Sequence, residues 1–259
     1  MLEPAVRITV LGSGTSTGVP VVGCDCGVCR SGKPRNKRLR PSVLFEEAEK
    51  VVLIDSGTDL RLQLLAAEVR QVDAVLYTHA HADHILGLDD LRPYCFRRGG
   101  DIPCYGSQRT LDGIRQTFSY VFDGQPSEGG GKPQLELREI SAGPFEAAGL
   151  EFEAIPLQHG SREVYAYRRG AFAYATDCNF IADSSLDRLR GLEVLILDAL
   201  RYRPHPTHFS IEEAVAVARD LGAGRTYFTH ISHDVDCDDL AFPLPPGMEL
   251  AYDGLRFEI

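Results

Sequence analysis

The chain has 259 residues, of which 44% are apolar, and this is enough material for one α/β core of ordinary size. The sequence lacks the long apolar run of a membrane-spanning helix, and its first residues lack the features of a signal peptide, so we expect a cytoplasmic protein without a membrane partner. The formal net charge of −10 disfavours a long nucleic acid as partner, because such binding depends on neutralising phosphates.

The segment VVGCDCGVCR (21–30) holds Cys24, Cys26 and Cys29 within six positions. A disulfide is disfavoured, because cytosolic thiols stay reduced and because the chain has seven cysteines, an odd number. The remaining interpretations are a redox motif and three of the four ligands of a structural zinc ion. His233 and Cys237 are the candidates for the fourth ligand.

Two further N-terminal features are candidates for binding an anion. Arg35, Arg38 and Arg40 lie in the basic segment RSGKPRNKRLRP (30–41), which suits either a small anionic substrate or an ordinary solvated loop. The turn GSGTSTG (12–18) either offers backbone N–H groups to phosphate or is simply a sharp turn.

Apolar runs and helical spacings alternate along the chain, which predicts two β-rich halves with helices outside them. The polar segment 123–133 is predicted to be a loop or lid, and residues 250–259 are predicted to close the chain as a short hairpin. Strands are predicted at 6–12, 42–47, 50–57, 73–79, 135–140, 150–157, 163–168, 171–176, 192–200 and 225–230, and helices at 58–69, 107–122 and 207–224.

The most informative motif is THAHADH (78–84), which stands at the end of the predicted strand 73–79 and contains His79, His81, Asp83 and His84. Imidazole and carboxylate groups are the ligands of zinc, manganese or iron, and this many polar groups do not suit a core. The backbone is too short to wrap all four around one ion. We therefore expect them to divide between two neighbouring ions.

Three ligand-type residues follow later strands. His159, Asp177 and His230 each stand where a predicted strand ends, and binding groups concentrate at such positions in α/β proteins. A carboxylate has two oxygens to share between two cations, so Asp177 is the natural bridge.

These motifs, with Gly87 after the cluster and LIDSG (53–57) before it, resemble the metallo-β-lactamase superfamily. The resemblance implies an α/β (α+β) fold, an αββα sandwich of two mixed β-sheets flanked by helices, built by one domain over 1–259. It implies that Asp55 orders the metal loop without binding metal. The ligands are expected to be His79, His81 and His159 for the first ion, Asp83, His84 and His230 for the second, and Asp177 for both.

His208, just before the predicted helix that leads to His230, resembles the residue that assists the leaving group in tRNase Z-like phosphodiesterases. His205 is a rival for this role. A long basic arm for gripping tRNA is missing from the sequence, which disfavours tRNase Z itself. The segments GSGTSTGVPVVGCDCGVC, THISHD and DGLRFEI make the resemblance more specific, because together they resemble the PhnP-like group of phosphoribosyl cyclic phosphodiesterases.

This resemblance implies a binuclear hydrolase of a small phosphodiester, such as a ribose 1,2-cyclic phosphate, with two Mn²⁺ or Zn²⁺ ions. A hydroxide bound by the ions would attack phosphorus, with Asp177 and His208 as catalytic residues. The resemblance also places His233 with the three cysteines in one structural zinc site. The alternatives are a PqqB-like oxidase or oxygenase, a thioesterase or lactonase of the same fold, and a non-catalytic metal-binding module. Whether two copies form a homodimer stays open.

Overall fold

The computed structural model describes residues 5–125 and 131–259, and the middle of the predicted 123–133 loop lies outside these described residues. The first of two seven-stranded sheets has the order β14-β1-β2-β3-β4-β5-β6. Its strands are β1 (Arg7–Gly12), β2 (Ser42–Glu47), β3 (Lys50–Ile54), β4 (Ala74–Leu76), β5 (Ile102–Gly106), β6 (Leu135–Glu139) and β14 (Arg256–Glu258).

The second sheet has the order β13-β12-β11-β10-β9-β8-β7. Both sheets are mixed, because each joins antiparallel strands to a parallel group. The strands of the second sheet are β7 (Gly143–Ala147), β8 (Leu150–His159), β9 (Arg162–Arg169), β10 (Phe172–Ala175), β11 (Val194–Asp198), β12 (Arg225–Thr229) and β13 (Met248–Leu250).

Seven α-helices and two short 3₁₀-helices, Pro34–Asn36 and Leu88–Leu91, accompany these strands in the described part of the chain. None of the helices there is long and apolar enough to cross a membrane. The α-helices are α1 (Gly27–Arg30), α2 (Leu60–Ala66), α3 (Ala82–Ile85), α4 (Arg92–Arg98), α5 (Gln108–Thr117), α6 (Asp183–Arg188) and α7 (Ile211–Leu221).

The central strands are apolar at successive positions because they are buried on both faces. Val43 and Phe45 of β2 point into the core between the two sheets, while Leu44 points to the outer layer that contains α2, α4 and α5. The second sheet is covered in the same way, because Ala214 and Ala218 of α7 pack on its outer face. The predicted αββα sandwich of two mixed sheets is therefore confirmed.

The predicted C-terminal hairpin is wrong. β13 pairs with β12 in the second sheet, whereas β14 pairs with β1 in the first, so the last segment crosses between the sheets instead of folding on itself. The sequence analysis also missed β5, β7, α4 and α6. In β5, Pro103 disfavoured a strand because it cannot donate to a ladder, yet β5 pairs on both sides.

The parallel strands bring their carboxyl ends to one edge of the sandwich. In the first sheet β3, β4, β5 and β6 run parallel, and in the second sheet β10, β11, β12 and β13 do so. Groups that follow parallel strands are collected at the same edge of a sheet. The predicted metal ligands lie at or just after the ends of β4, β8, β10 and β12 and come together at that edge.

Candidate metal and catalytic site

The histidine loop (residues 78–84) is held in place by the segment that follows β3. The Ser56 N–H donates to the His84 carbonyl at 2.7 Å. A Cβ atom at Gly57 would lie 2.1 Å from the Asp83 carbonyl oxygen, so only glycine permits this approach. The LIDSG element (53–57) thus fixes the backbone of the histidine loop at Asp83 and His84.

Three imidazoles and one carboxylate form the first cluster of donor atoms. His79 Nε2 lies 2.9 Å from His81 Nδ1 and 3.6 Å from Asp177 Oδ2. His159 joins them, and one ligand atom from each of the four residues lies within 4.8 Å of the others. The His159 Nδ1 atom lies 2.7 Å from the Thr207 carbonyl oxygen, to which it donates, so Nε2 is the atom left for a cation.

The second cluster shares Asp177 with the first. His84 Nε2 lies 3.3 Å from Asp83 Oδ2 and 3.2 Å from Asp177 Oδ1, while His230 Nε2 lies 3.4 Å and 3.5 Å from the same two oxygens. Behind the cluster, His84 Nδ1 lies 2.7 Å from Asp55 Oδ2. The buried His84 Nε2 makes no well-formed hydrogen bond among the described residues, and such an atom facing two carboxylates fits a metal ligand.

Asp177 is the shared group, because Oδ2 faces His79 and Oδ1 faces both His84 and His230. Its backbone φ is 55°, and those of Asp55 and His230 are both 62°. Non-glycine residues adopt this left-handed region at an energetic cost, and strained backbone of this kind concentrates at functional sites.

The charges of the second cluster balance one another. Burial lowers the pKa of His84 and His230, but the facing carboxylates, Asp177 foremost, outweigh burial and raise the pKa of His84 well above its ordinary value and that of His230 to about 9. Burial raises the pKa of Asp177 and Asp83, and the neighbouring histidines more than reverse this. Divalent cations can occupy such a site by displacing the imidazole protons.

A further carboxylate, Asp198 at the end of β11, orients His208. The His208 Nδ1 atom lies 3.1 Å from Asp198 Oδ1, and the Phe209 N–H donates to Oδ2 at 3.1 Å. With Nδ1–H donated to the carboxylate, His208 directs Nε2 toward the two donor clusters, 4.0 Å from Asp177 Oδ2. This buried pair can deliver a proton at Nε2.

Sequence reasoning missed Asp198, although it occupies the same kind of position as Asp177, an acidic residue where an apolar strand ends. His205 lies outside the clusters of possible ligands. Its Nδ1 is 3.2 Å from the Thr207 hydroxyl, and its ring lies 5.2 Å from that of His208. Of the two rivals, His208 is the one that faces Asp177.

The three N-terminal arginines that were candidates for binding an anion make contacts within the protein. Arg38 is 1% exposed and donates to two backbone carbonyl oxygens, and Arg40 forms an ion pair with Asp59 at 3.2 Å. The Arg35 guanidinium lies over the Tyr252 ring, 4.1 Å from its centroid. These three cations are held by the protein itself.

The turn 12–18 is likewise occupied by internal bonds. The Ser13 N–H donates to Asp253 Oδ1 at 2.9 Å, and the N–H groups of Gly14 and Gly18 donate to backbone carbonyls at 2.8 Å and 2.7 Å. The turn therefore acts as a sharp structural turn at these positions, which was the alternative interpretation.

The N-terminal cysteines gather around one imidazole. His233 Nδ1 lies 3.3 Å from the Cys24 sulfur and 3.5 Å from each of the Cys26 and Cys29 sulfurs. In a tetrahedral zinc site with bonds of about 2.3 Å to sulfur and about 2.0 Å to nitrogen, these atoms would be about 3.5 Å apart. The Cys29 N–H foremost lowers the pKa of Cys26 to about 6, which favours a thiolate, whereas burial foremost raises the pKa of Cys29 to about 11. The donor set therefore fits zinc.

Cys237, the competing fourth ligand, lies elsewhere. Its N–H donates to Asn36 Oδ1 at 2.9 Å. Its thiol lies near the carboxylates of Asp236 and Asp238 and outside the cluster formed by the three N-terminal cysteines and His233. All seven cysteines are free thiols, so none of them forms a disulfide.

Comparison with known proteins identifies the superfamily to which the chain belongs. Residues 50–231 match the family model described as the β-lactamase superfamily domain. A curated octanoyltransferase of Porphyromonas gingivalis is 41% identical over 255 residues, 97% of this chain and 51% of that protein. A ribonuclease Z of Bradyrhizobium diazoefficiens is 30% identical over 141 residues, 52% of this chain and 45% of that protein. The chain spans about half the length of both relatives.

The chain belongs to the β-lactamase superfamily and has the metallo-β-lactamase fold. Within it, the solved structure of a new diphosphatase from the PhnP family shares 45% identity and a TM-score of 0.92, over 98% of this chain and 97% of the other. The chain is therefore a member of the PhnP family, and the resemblance inferred from its motifs is confirmed.

We expect Asp177→Asn to lower the affinity of the site for Mn²⁺ by more than about 100-fold, because the side chain loses its charge and one of two shared oxygens. Asparagine tolerates the positive φ at this position, so the fold should persist. Metal content after dialysis and circular dichroism are the measurements. Asp187→Asn on the exposed side of α6 is the matched control. Wild-type affinity in Asp177→Asn would contradict the shared-carboxylate geometry.

The raised pKa values of His84 and His230 predict that metal affinity increases with pH. Each proton displaced makes the apparent affinity rise about tenfold per pH unit, as long as the pH is below the pKa of the group. Between pH 6 and pH 8 we expect the apparent affinity for Mn²⁺ to rise between about 10-fold and 100-fold for each pH unit. Calorimetric titration of Mn²⁺ in buffers of different ionisation enthalpy measures the protons released, and an affinity that does not change with pH would oppose the prediction.

Proposed function

We propose that the protein is a metal-dependent phosphodiesterase that hydrolyses a small substrate, with a five-membered cyclic phosphate as the preferred class. One observation carries the proposal. A single carboxylate, Asp177, faces two histidine-rich donor sets, and a buried His208–Asp198 pair faces that carboxylate. Two divalent ions held there would supply an activated water and neutralise the charge on phosphate.

The chain's own residues then divide the remaining work. The first ion would be held by His79, His81 and His159 and the second by Asp83, His84 and His230, with Asp177 shared. His208 stands where it can donate a proton from Nε2 to the departing oxygen, and Asp198 holds its ring and tautomer.

The relatives support phosphate chemistry without deciding the substrate. One is described as a diphosphatase and another as a ribonuclease, and both names refer to cleavage of bonds to phosphorus. The octanoyltransferase name belongs to a relative about twice the length of this chain, and it keeps acyl chemistry as the competing hypothesis.

A substrate panel separates these hypotheses. Metal-reconstituted protein should hydrolyse bis(p-nitrophenyl) phosphate and a nucleoside 2′,3′-cyclic phosphate, and should leave octanoyl-CoA and a lactone intact. Oxygen consumption, measured in parallel, tests the PqqB-like alternative. Acyl or lactone hydrolysis without any diester cleavage would refute the proposal.

His208→Ala should slow substrates with a poor leaving group far more than those with an activated one. We expect a loss of about 10²–10⁴ in kcat for a methyl ester and less than about tenfold for a p-nitrophenyl ester of the same phosphate. Asp198→Asn should give a smaller loss of the same pattern, because it disturbs the tautomer. His205→Ala, three residues away, is the control and should behave as wild type. An equal loss on both esters would exclude proton donation by His208.

We also propose that Cys24, Cys26, Cys29 and His233 hold one structural zinc ion. His233→Ala and Cys24→Ser should each lose one zinc per chain and lower the melting temperature, while the ions near Asp177 remain. Cys237→Ser should retain its full zinc content, because this thiol lies outside the cluster. Mass-spectrometric metal analysis and thermal unfolding measure both effects. Zinc loss in Cys237→Ser alone would contradict the assignment.

A further inference from the structure

Arg38 is a buried cation that the proposed mechanism does not use. Its guanidinium makes three hydrogen bonds within residues 5–125 and 131–259, and all three acceptors are neutral oxygens. Its Nε atom has no partner in that part of the chain. Burial of a charged group is costly, and even buried ion pairs are often replaced by apolar side chains without loss of stability. Stability alone therefore does not account for an arginine at this position.

The acceptors of Arg38 show what its guanidinium does. Nη1 donates to the Ser232 carbonyl at 3.1 Å, and Nη2 donates to the Val235 carbonyl at 2.9 Å. Asn36 orients the guanidinium, because its Oδ1 accepts from the same Nη2 at 3.1 Å. The planar guanidinium has its donors in a rigid fork and can hold two carbonyls at a fixed spacing, whereas the ammonium of lysine is a point charge on a flexible stem. Arg38 therefore fixes the turn 232–235.

The N-terminal part of the chain anchors Arg38 itself. The backbone of Arg38 pairs with that of Val19 in both directions, with N–O distances of 2.8 Å. A Cβ atom at Gly14 would lie 2.8 Å from Arg38 Cβ, so the arginine packs where only glycine leaves room. Gly14 in turn forms a parallel bridge with Ile231. Arg38 is thus packed on the same turn that pairs with the segment 230–235.

The segment 230–235 carries a ligand of the second donor cluster. His230 Nε2 lies 3.4 Å from Asp83 Oδ2 and 3.5 Å from Asp177 Oδ1. The φ of His230 is 62°, a left-handed conformation that persists only where the surrounding structure enforces it. The two carbonyls that Arg38 holds belong to residues two and five positions after His230. The position of the His230 ring therefore depends on Arg38, although none of the three bonds of Arg38 goes to that ring.

We propose that Arg38 is a positioning residue of the second donor cluster: it holds the turn 232–235 and so sets the affinity of that cluster for its ion. Residues that orient a ligand from outside the ligand set typically change metal affinity about 10-fold to 100-fold when they are replaced. The inference rests on the metal centre of the proposed function and is independent of its substrate. It also assigns a function to one member of the basic segment 30–41.

The test is a titration with Mn²⁺ of protein that holds zinc at the cysteine cluster and no manganese, followed by calorimetry and by electron paramagnetic resonance of the coupled ion pair. Wild type should bind two Mn²⁺ ions. In Arg38→Met one binding step should weaken by about tenfold or more, and the other should stay within about threefold of wild type. Arg38→Lys keeps the charge without the fork and should lie between the two. Arg35→Met in the same segment is the matched control, because this side chain lies over Tyr252.

A combined variant separates positioning from a general loss of folding. In His230→Ala the second cluster lacks the ligand on which Arg38 acts, so adding Arg38→Met should not change the Mn²⁺ affinity further. Circular dichroism and thermal unfolding of the same samples show whether folded proteins are being compared. If Arg38→Met does not fold, Arg38→Lys and Asn36→Ala give the same comparison in smaller steps, because each retains part of the hydrogen bonding.

Equal weakening of both Mn²⁺ binding steps would overturn the inference, and so would the same weakening with and without His230, because Arg38 would then support only the fold as a whole. Unchanged Mn²⁺ binding in Arg38→Met would overturn it too. Each of these results leaves the proposed function intact. If wild type itself binds fewer than two Mn²⁺ ions, the proposed metal centre fails, and this inference fails with it.

Discussion

The geometry of the site depends on one carboxylate that serves two donor sets. Asp177 can do this because its backbone N–H is held by Asp198 at 3.2 Å and its φ of 55° turns the side chain at the end of β10. His79 and His84 come from the first sheet, whereas Asp177 and His230 come from the second. The contact between the sheets therefore determines the distances within the site. A one-residue slip in the pairing register of a strand that carries these residues would turn its side chains to the opposite face of the sheet.

The same edge combines opposite charges at short range. Buried carboxylates are balanced by imidazoles, and Arg109 and Arg162 line a recess of about 180 Å³ next to His79 and His81. The thiol cluster lies close by in the chain, because His233 follows His230 by three residues. An ion bound by the cysteines would thus fix the N-terminal loop against the segment that carries a ligand of the second donor cluster.

The sequence predicted those parts of the fold and the site whose residues lie close together in the chain or follow a simple rule of position. The histidine loop is contiguous, so its pattern was visible directly, and His159, Asp177 and His230 followed from the rule that binding groups stand at strand ends. The terminal hairpin was wrong because local alternation cannot tell which sheet a strand joins. The interpretation of the basic segment stayed open, because a basic segment gives no sign that one of its members, Arg38, is 1% exposed.

The sequence by itself determined the chemistry: which groups can bind cations, which strands are buried on both faces and to which superfamily the chain belongs. These properties are carried by residue type and by short spacings. The tertiary structure alone decided which groups meet. It paired Asp198 with His208, chose His233 over Cys237 as the neighbour of the three thiols, and carried Arg109 and Arg162 to the histidine loop. These contacts join residues far apart in the chain, and only the packing of two sheets and their helices sets the distances between them.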